Sequence, residues 1–213
     1  MKTNQTISEK AADILLEIEA VKLNVKEPFT WASGIRSPIY CDNRRILSFP
    51  EARAFVRDSL AKIIQQVYPD VECIAGVATG AIAHGVLVAE KLNLPFVYVR
   101  STSKEHGLGN QIEGVIPEGK KVVVVEDLVS TGQSSLAAVD ALINVKADFK
   151  GMVAIFTYGL DKARQNMEDA KCPLHTLTDY NTLIQQAVNA GYLHHSNLET
   201  LEKWRENPQG WER

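Results

Sequence analysis

The side chains best placed to do chemistry lie in one run, KVVVVEDLVSTGQSS, residues 121–135. Two carboxylates, Glu126 and Asp127, follow four valines; Leu128 and Val129 separate them from Ser130, Thr131, Gly132, Gln133 and Ser134. The amides that open a helix are unpaired and sit at its positive end, which suits a phosphate. Serine and threonine hydroxyls add donors, and Gly132 lets the backbone come close to a ligand. The acids cannot favour the phosphate itself. They suit what lies beside it, sugar hydroxyls or a magnesium ion that a phosphorylated sugar carries. An acidic strand-to-helix turn with a Ser/Thr cap would explain a looser version of this pattern. The acid pair, hydroxyls and glycine fall together where one ligand could use them all, which favours the ligand.

These residues need a frame. Residues 122–125 read as a strand buried on both faces, as in a parallel sheet, and 136–143 as the helix that follows. Buried strands also read at 72–77, 95–100 and 151–158, with helices at 7–21, 50–67, 81–92, 160–170 and 180–190. Pro50 fits a helix's first turn, and Ser196–Glu199 reads as a capping box opening a last helix. A short strand reads at 174–177. Strands alternating with helices predict an α/β domain with a central parallel sheet flanked by helices. It forms one unit over 1–213, with a core of about 49–159 and an appendage built from 1–48 and 160–213.

Three further stretches carry candidate contacts. Ala78, Thr79 and Gly80 form a small-residue loop at a strand's C-terminal end, where open α/β sheets bind ligands. Residues 29–45 read as two short extended pieces about a turn at Ser33 and Gly34. They hold aromatics and the arginines Arg36, Arg44 and Arg45. This suits a planar ligand and equally an edge hairpin with solvated arginines. Residues 101–120 have little apolar periodicity, and loops beyond about 12–15 residues are uncommon unless functional or disordered. Arg100, Lys104 and His106 make this stretch a candidate lid over a polyanion. His84, in a helix without a partner at metal spacing, reads as structural.

Several classes are excluded. Gly114 to Lys120 approaches a phosphate-cradling P-loop pattern, but Lys121 replaces the Ser or Thr and a strand follows instead of a helix. Gly107 and Gly109 begin a dinucleotide pattern that meets Ile112 where the third glycine belongs. A formal charge of −3 and no helix-turn-helix pattern argue against nucleic acid. Cys41, Cys73 and Cys172 have no zinc spacing and read as reduced, in a cytoplasmic protein. Neither a membrane span nor a signal peptide is read.

The run from 122 to 134 resembles the phosphoribosyl-pyrophosphate (PRPP) signature of the type I phosphoribosyltransferases. Residues 29–45 and 100–114 resemble segments of the orotate phosphoribosyltransferases. The resemblance implies a five-stranded parallel core under a hood made by the chain ends, usually in a homodimer. It also implies transfer of the phosphoribosyl group from PRPP to orotate, with Mg2+, in pyrimidine synthesis. Ser130, Thr131, Gly132, Gln133 and Ser134, with Leu128 and Val129, would hold the 5′-phosphate, and Glu126 and Asp127 the ribose hydroxyls. Magnesium would bind mainly through PRPP, near those acids, with no direct protein ligand. Thr79 and Gly80 would touch pyrophosphate. Arg100, Lys104 and His106 would close on it from the neighbouring subunit, acting catalytically with Asp127. Ser130, Tyr40 and Arg36 would meet orotate. Some members carry lysines where this chain has Ala32, Gly80 and Ser101, leaving Arg36 or Arg44 for the orotate carboxylate. A purine-base transferase and a non-catalytic PRPP sensor are the competing readings on this fold.

Overall fold

The computed structural model describes residues 5–31, 33–100, 111–116 and 118–211; Ala32, Ser101, Lys104 and His106 lie outside them. Helix α1 (Ile7–Glu17) opens with a capping box, the Glu9 carboxylate accepting from the Thr6 amide at 2.7 Å and the Thr6 hydroxyl accepting from the Glu9 amide. It ends four residues before the apolar periodicity does. Glu19 turns into the left-handed region at φ 53, and Val21 continues the apolar stripe as a strand residue paired with Cys41. Strands β1 (Val21–Leu23), β2 (Phe29–Thr30), β3 (Arg36–Ser37) and β4 (Ile39–Cys41) form two small antiparallel pairs, β1 with β4 and β2 with β3. The β2–β3 turn at Ser33 and Gly34 has the left-handed glycine that a tight turn requires, φ 85 at Gly34. A 3-10 segment, Asn43–Ser48, follows, its first turn capped by Asp42.

The α/β body begins with α2 (Pro50–Val67), β5 (Cys73–Val77), α3 (Ile82–Leu92), β6 (Phe96–Val99) and β7 (Ile112–Glu113). It continues with β8 (Lys121–Val129), α4 (Gln133–Asn144), β9 (Asp148–Thr157), α5 (Asp161–Asp169), β10 (Leu174–Asp179), α6 (Tyr180–Asn189) and α7 (Leu198–Glu206). The main sheet has the order β10-β9-β8-β5-β6-β7. The first five run parallel, and β7 is a two-residue antiparallel edge. That edge has no sequence signal, and β10 joins the sheet beyond the expected core boundary at 159. The Val122–Val125 side chains are fully buried, as a strand covered on both faces demands.

Two departures matter for the site. The sequence predicts a strand ending at Val125, but β8 runs on through both acids to Val129 because β9 stays beside it as far as Val129↔Thr157. On the other side β5 stops pairing at Gly76↔Val125. The last residues of β8 therefore have a strand on one side and a cleft on the other. At the far end of the chain, the expected Ser196–Glu199 capping box is absent. Asn197 is the cap residue of α7 and makes no side-chain cap bond there; its Oδ1 instead accepts from the His194 amide at 3.1 Å.

The chain ends meet over the sheet. Trp204 of α7 is fully buried, donates from Nε1 to the Arg36 carbonyl at 3.0 Å, and packs against Trp31, Tyr158 and Tyr180. Beneath the sheet, Tyr68 covers Gly151, and its buried hydroxyl has no hydrogen-bond partner among the described residues. A Cβ at Gly151 would overlap that hydroxyl and stand 2.6 Å from Cζ. Gly151→Ala is expected to cost about 1–3 kcal/mol in chemical denaturation. Tyr68→Phe should be near neutral alone and recover part of that loss. An unchanged midpoint for Gly151→Ala would contradict this packing.

Candidate active site

The overhang of β8 forms one wall of a cleft of about 430 Å³. Glu126 lies behind this wall, only 4% exposed. Its Oε1 accepts from the Asp127 amide at 2.9 Å, and its Oε2 bonds the Ser135 hydroxyl at 2.7 Å. Burial first, and the Asp127 charge second, push the Glu126 carboxyl well above the usual carboxylate range. Asp127 is the half-exposed acid of the pair and turns to the cleft, against the opposite turn.

That turn is Ala78–Thr79–Gly80, which includes a cis Ala78–Thr79 peptide. A Cβ at Gly80 would overlap both Asp127 carboxylate oxygens. The carboxylate thus occupies the space that a side chain at 80 would need, and only glycine leaves it there. The Ala78 amide donates to the Val99 carbonyl at 2.8 Å, which sets Arg100 beside this turn. Arg100 pairs with Glu113 at 3.6 Å, and its amide donates to the Gln111 carbonyl at 2.8 Å.

The cleft's far end is the start of α4. Ser130, Thr131, Gly132 and Ser134 line it. Gly132 is the cap residue with φ 80, and no side chain caps the helix. The first amides of this twelve-residue helix therefore face the cleft with the positive end of its dipole. The loop is held from behind. Asn166 donates to the Thr131 carbonyl at 2.8 Å, and a Cβ at Gly132 would stand 2.8 Å from Met167 Cε, both on α5.

The remaining wall comes from the N-terminal segment, through Cys41, Asp42 and Arg44. Arg44 is held by Asp42 through Nε to Oδ1 at 2.6 Å and Nη2 to Oδ2 at 3.0 Å. That contact lowers the Asp42 pKa and raises that of Arg44. Burial, then the Asp127 charge, raises the Cys41 thiol. Among the described residues no three metal-ligating side chains gather at one point.

The structure thus brings together Thr79, Gly80, Glu126, Asp127, Leu128, Ser130, Thr131, Gly132 and Ser134. Val129 is fully buried, and its carbonyl is taken by Thr157 and Tyr158; Gln133 begins α4 outside the cleft lining. Tyr40 stands 40% exposed against Phe29, beside the lining residue Cys41 and not among the lining itself. Arg36 lies in a separate recess with Gly34, Pro208 and Trp211. Arg44, the other arginine considered, lines the main cleft. Cys41, Asp42 and Ala78 also line it. Ala78 belongs to the small-residue loop read from the sequence, and Cys41 and Asp42 to the 29–45 stretch, where nothing in their own residue types singled them out.

Residues 43–193 match the phosphoribosyl transferase domain. The chain belongs to the phosphoribosyltransferase family, and its fold is the type I fold of that family. Its relatives include an orotate phosphoribosyltransferase of Porphyromonas gingivalis, 51% identical over 97% of this chain and 99% of that protein. Another, from Listeria monocytogenes serotype 4b, is 53% identical over 97% of this chain and 99% of that protein. The crystal structure of orotate phosphoribosyltransferase from Aeropyrum pernix matches with a TM-score of 0.74 at 27% identity, over 85% of this chain and 98% of that one.

The buried Glu126 makes a prediction about pH. Its folded pKa lies above its unfolded value, so the stability it contributes is present at low pH and is lost as pH rises through the folded pKa. Glu126→Gln keeps both hydrogen bonds without an ionisable group. Between about pH 5 and about pH 9 the melting temperature of the wild type should fall more than that of the variant. Parallel profiles would show that Glu126 is not held neutral.

Proposed function

We infer that this protein is an orotate phosphoribosyltransferase. It transfers the 5-phosphoribosyl group of PRPP to orotate and releases orotidine 5′-phosphate and pyrophosphate in pyrimidine biosynthesis. One observation carries the chemistry: an uncapped helix start lined with hydroxyls and a cleft-facing acid share one cavity. The first suits the 5′-phosphate and the second the ribose hydroxyls. The choice of base rests on relatives of that name at about half identity over nearly the whole chain.

In this reading the α4 amides, with Ser130, Thr131 and Ser134, take the 5′-phosphate. Asp127 accepts from the ribose hydroxyls, and Glu126 backs it. The turn at Thr79 and Gly80 meets pyrophosphate. Arg44 offers the cation on the base side that Arg36, in its own recess, does not. Breaking the C1′–O bond builds positive charge on the sugar and negative charge on pyrophosphate. No covalent nucleophile is needed. Orientation alone supplies roughly 7–11 kcal/mol in well-positioned reactions, and each preorganised donor to developing charge about 2.7–4 kcal/mol. Arg100, Lys104 and His106 are proposed to supply such donors on the leaving group, across the interface of a homodimer.

Magnesium fits this site as an ion carried by the substrate. Asp127 and Asp42 are too few for a closed protein cage, and Mg2+ binds readily through one or two carboxylates with phosphate oxygens. When bound it would offset the charge of the pyrophosphate. The three unpaired cysteines fit a cytoplasmic setting.

Purified protein with PRPP, magnesium and orotate should consume orotate, followed by its ultraviolet absorbance. Parallel reactions with adenine, guanine, hypoxanthine or uracil should release no pyrophosphate. Turnover with a purine alone would overturn the choice of base, and PRPP binding without turnover would favour a sensor. Lys104→Ala should lower turnover at least about tenfold, about 1.4 kcal/mol of barrier, with an unchanged melting temperature. Wild-type turnover in that variant would remove Lys104 from the mechanism.

A further inference from the structure

Asn43 is the first residue of the 3-10 segment and is fully buried, at 0% exposure. An amide side chain is rarely buried without a task. Its Nδ2 donates to the Asp127 carbonyl at 2.5 Å, and its Oδ1 accepts from Cys41 Sγ at 3.4 Å. The Asp127 amide is bound by the Glu126 carboxylate. Side chains therefore hold both main-chain polar groups of Asp127. This happens where β5 has ended and β8 has no strand on that side. Without Asn43 the Asp127 carbonyl would lose this partner at the edge of the cleft.

A second buried polar group supports the first. His84 of α3 is 2% exposed, and its Nε2 has no hydrogen-bond partner among the described residues. Its ring meets the Asn43 backbone and lies within the field of Asp127. Both favour the charged ring, yet burial outweighs them and lowers its pKa, so His84 is a neutral support under Asn43. Asn43 thus stands between three parts of the molecule: the segment that lines the cleft on the base side, the start of α3, and the acid on β8.

We propose that Asn43 is a positioning residue for Asp127, holding its main chain in the overhang of β8 and tying it to the segment at residues 40–45. Gly80 does the corresponding work on the side chain, by leaving the carboxylate its place. The inference rests on the reading of Asp127 as the ribose contact. It predicts that the loss of one donor remote from the substrate falls on PRPP more than on the base.

The test combines PRPP–magnesium titration calorimetry with steady-state kinetics on wild type, Asn43→Leu, Asn43→Asp and the remote control Tyr68→Phe. Asn43→Leu keeps the volume and removes the donor. It should weaken PRPP binding at least about tenfold and raise the KM for PRPP far more than that for orotate. Tyr68→Phe should match the wild type. Asn43→Asp supplies a readout that packing alone would not give. An aspartic acid can donate to the Asp127 carbonyl only when protonated, so its PRPP affinity, relative to that of Asn43→Leu, should recover from about pH 8 to about pH 6. Cys41, Asp42, Arg44, His84 and Asp127 surround position 43 in both variants, so their own titration cancels in this ratio. PRPP affinity within about twofold of wild type in Asn43→Leu would overturn the proposal, as would an Asp-to-Leu ratio that falls as the pH is lowered. If Asn43→Leu does not fold, that ratio is taken against wild type and decides in the same way. The calorimetry needs no base. A wild type that binds PRPP but does not turn over orotate would refute the functional reading and leave the Asn43 comparison intact.

Discussion

The site depends on a mismatch of strand lengths. In the centre of a parallel sheet, two strands pair as far as Gly76 and Val125, and then only one continues. The continuing strand keeps its other neighbour to Val129. Four residues are thereby held straight on one side, and three of them, Glu126, Asp127 and Leu128, border a cleft on the other. The backbone is rigid because β9 is hydrogen-bonded to it, and accessible because β5 is not. The turn after β5 and the start of α4 meet across the gap, so three strand and helix ends converge on a cavity large enough for a phosphorylated sugar. A site built on strand and helix ends in this way is positioned more precisely than one built on loops alone.

Electrostatics then separates two carboxyls that are neighbours in sequence. Successive strand residues point to opposite faces, so the two acids meet the cleft differently: Glu126 borders it from a buried position, and Asp127 carries the more exposed carboxylate into it. Glu126 goes inward, where desolvation and the adjacent charge raise its pKa and Ser135 and the Asp127 amide occupy its oxygens. The carboxylate of Asp127 is left beside the position proposed for the ribose. It lies away from the helix start that would hold the phosphate, whose charge it would repel. Gly80, Asn43 and His84 all make sense as parts that accommodate or support this one acid.

Much of this was legible in the sequence, and the exceptions have physical causes. The valine run, the acid pair and the hydroxyl-rich glycine loop announced β8 and α4, because a doubly buried strand and a helix opened by a left-handed glycine follow from those residues in that order. The helix at Pro50 and the β2–β3 turn at Gly34 came from equally local rules. What failed was tertiary. Periodicity could not reveal that Val21 leaves a helix to pair with Cys41, or that two residues at 112–113 pair with β6. It also could not show that β8 continues through two charged residues. That depends on how long its neighbours are. Arg36 and Arg44 look equivalent in sequence, and only the path of β3 and the 3-10 segment sends one to a separate recess and the other to the cleft. Asn43 carried no signal, because its partner lies 84 residues away.

The most direct measurement is a crystal structure of the protein with PRPP bound. The account predicts the 5′-phosphate on the amides of Gln133, Ser134 and Ser135, the ribose hydroxyls on the Asp127 carboxylate, and Asn43 still bonded to the Asp127 carbonyl. A ribose placed away from Asp127, or a phosphate bound elsewhere than at the start of α4, would contradict it.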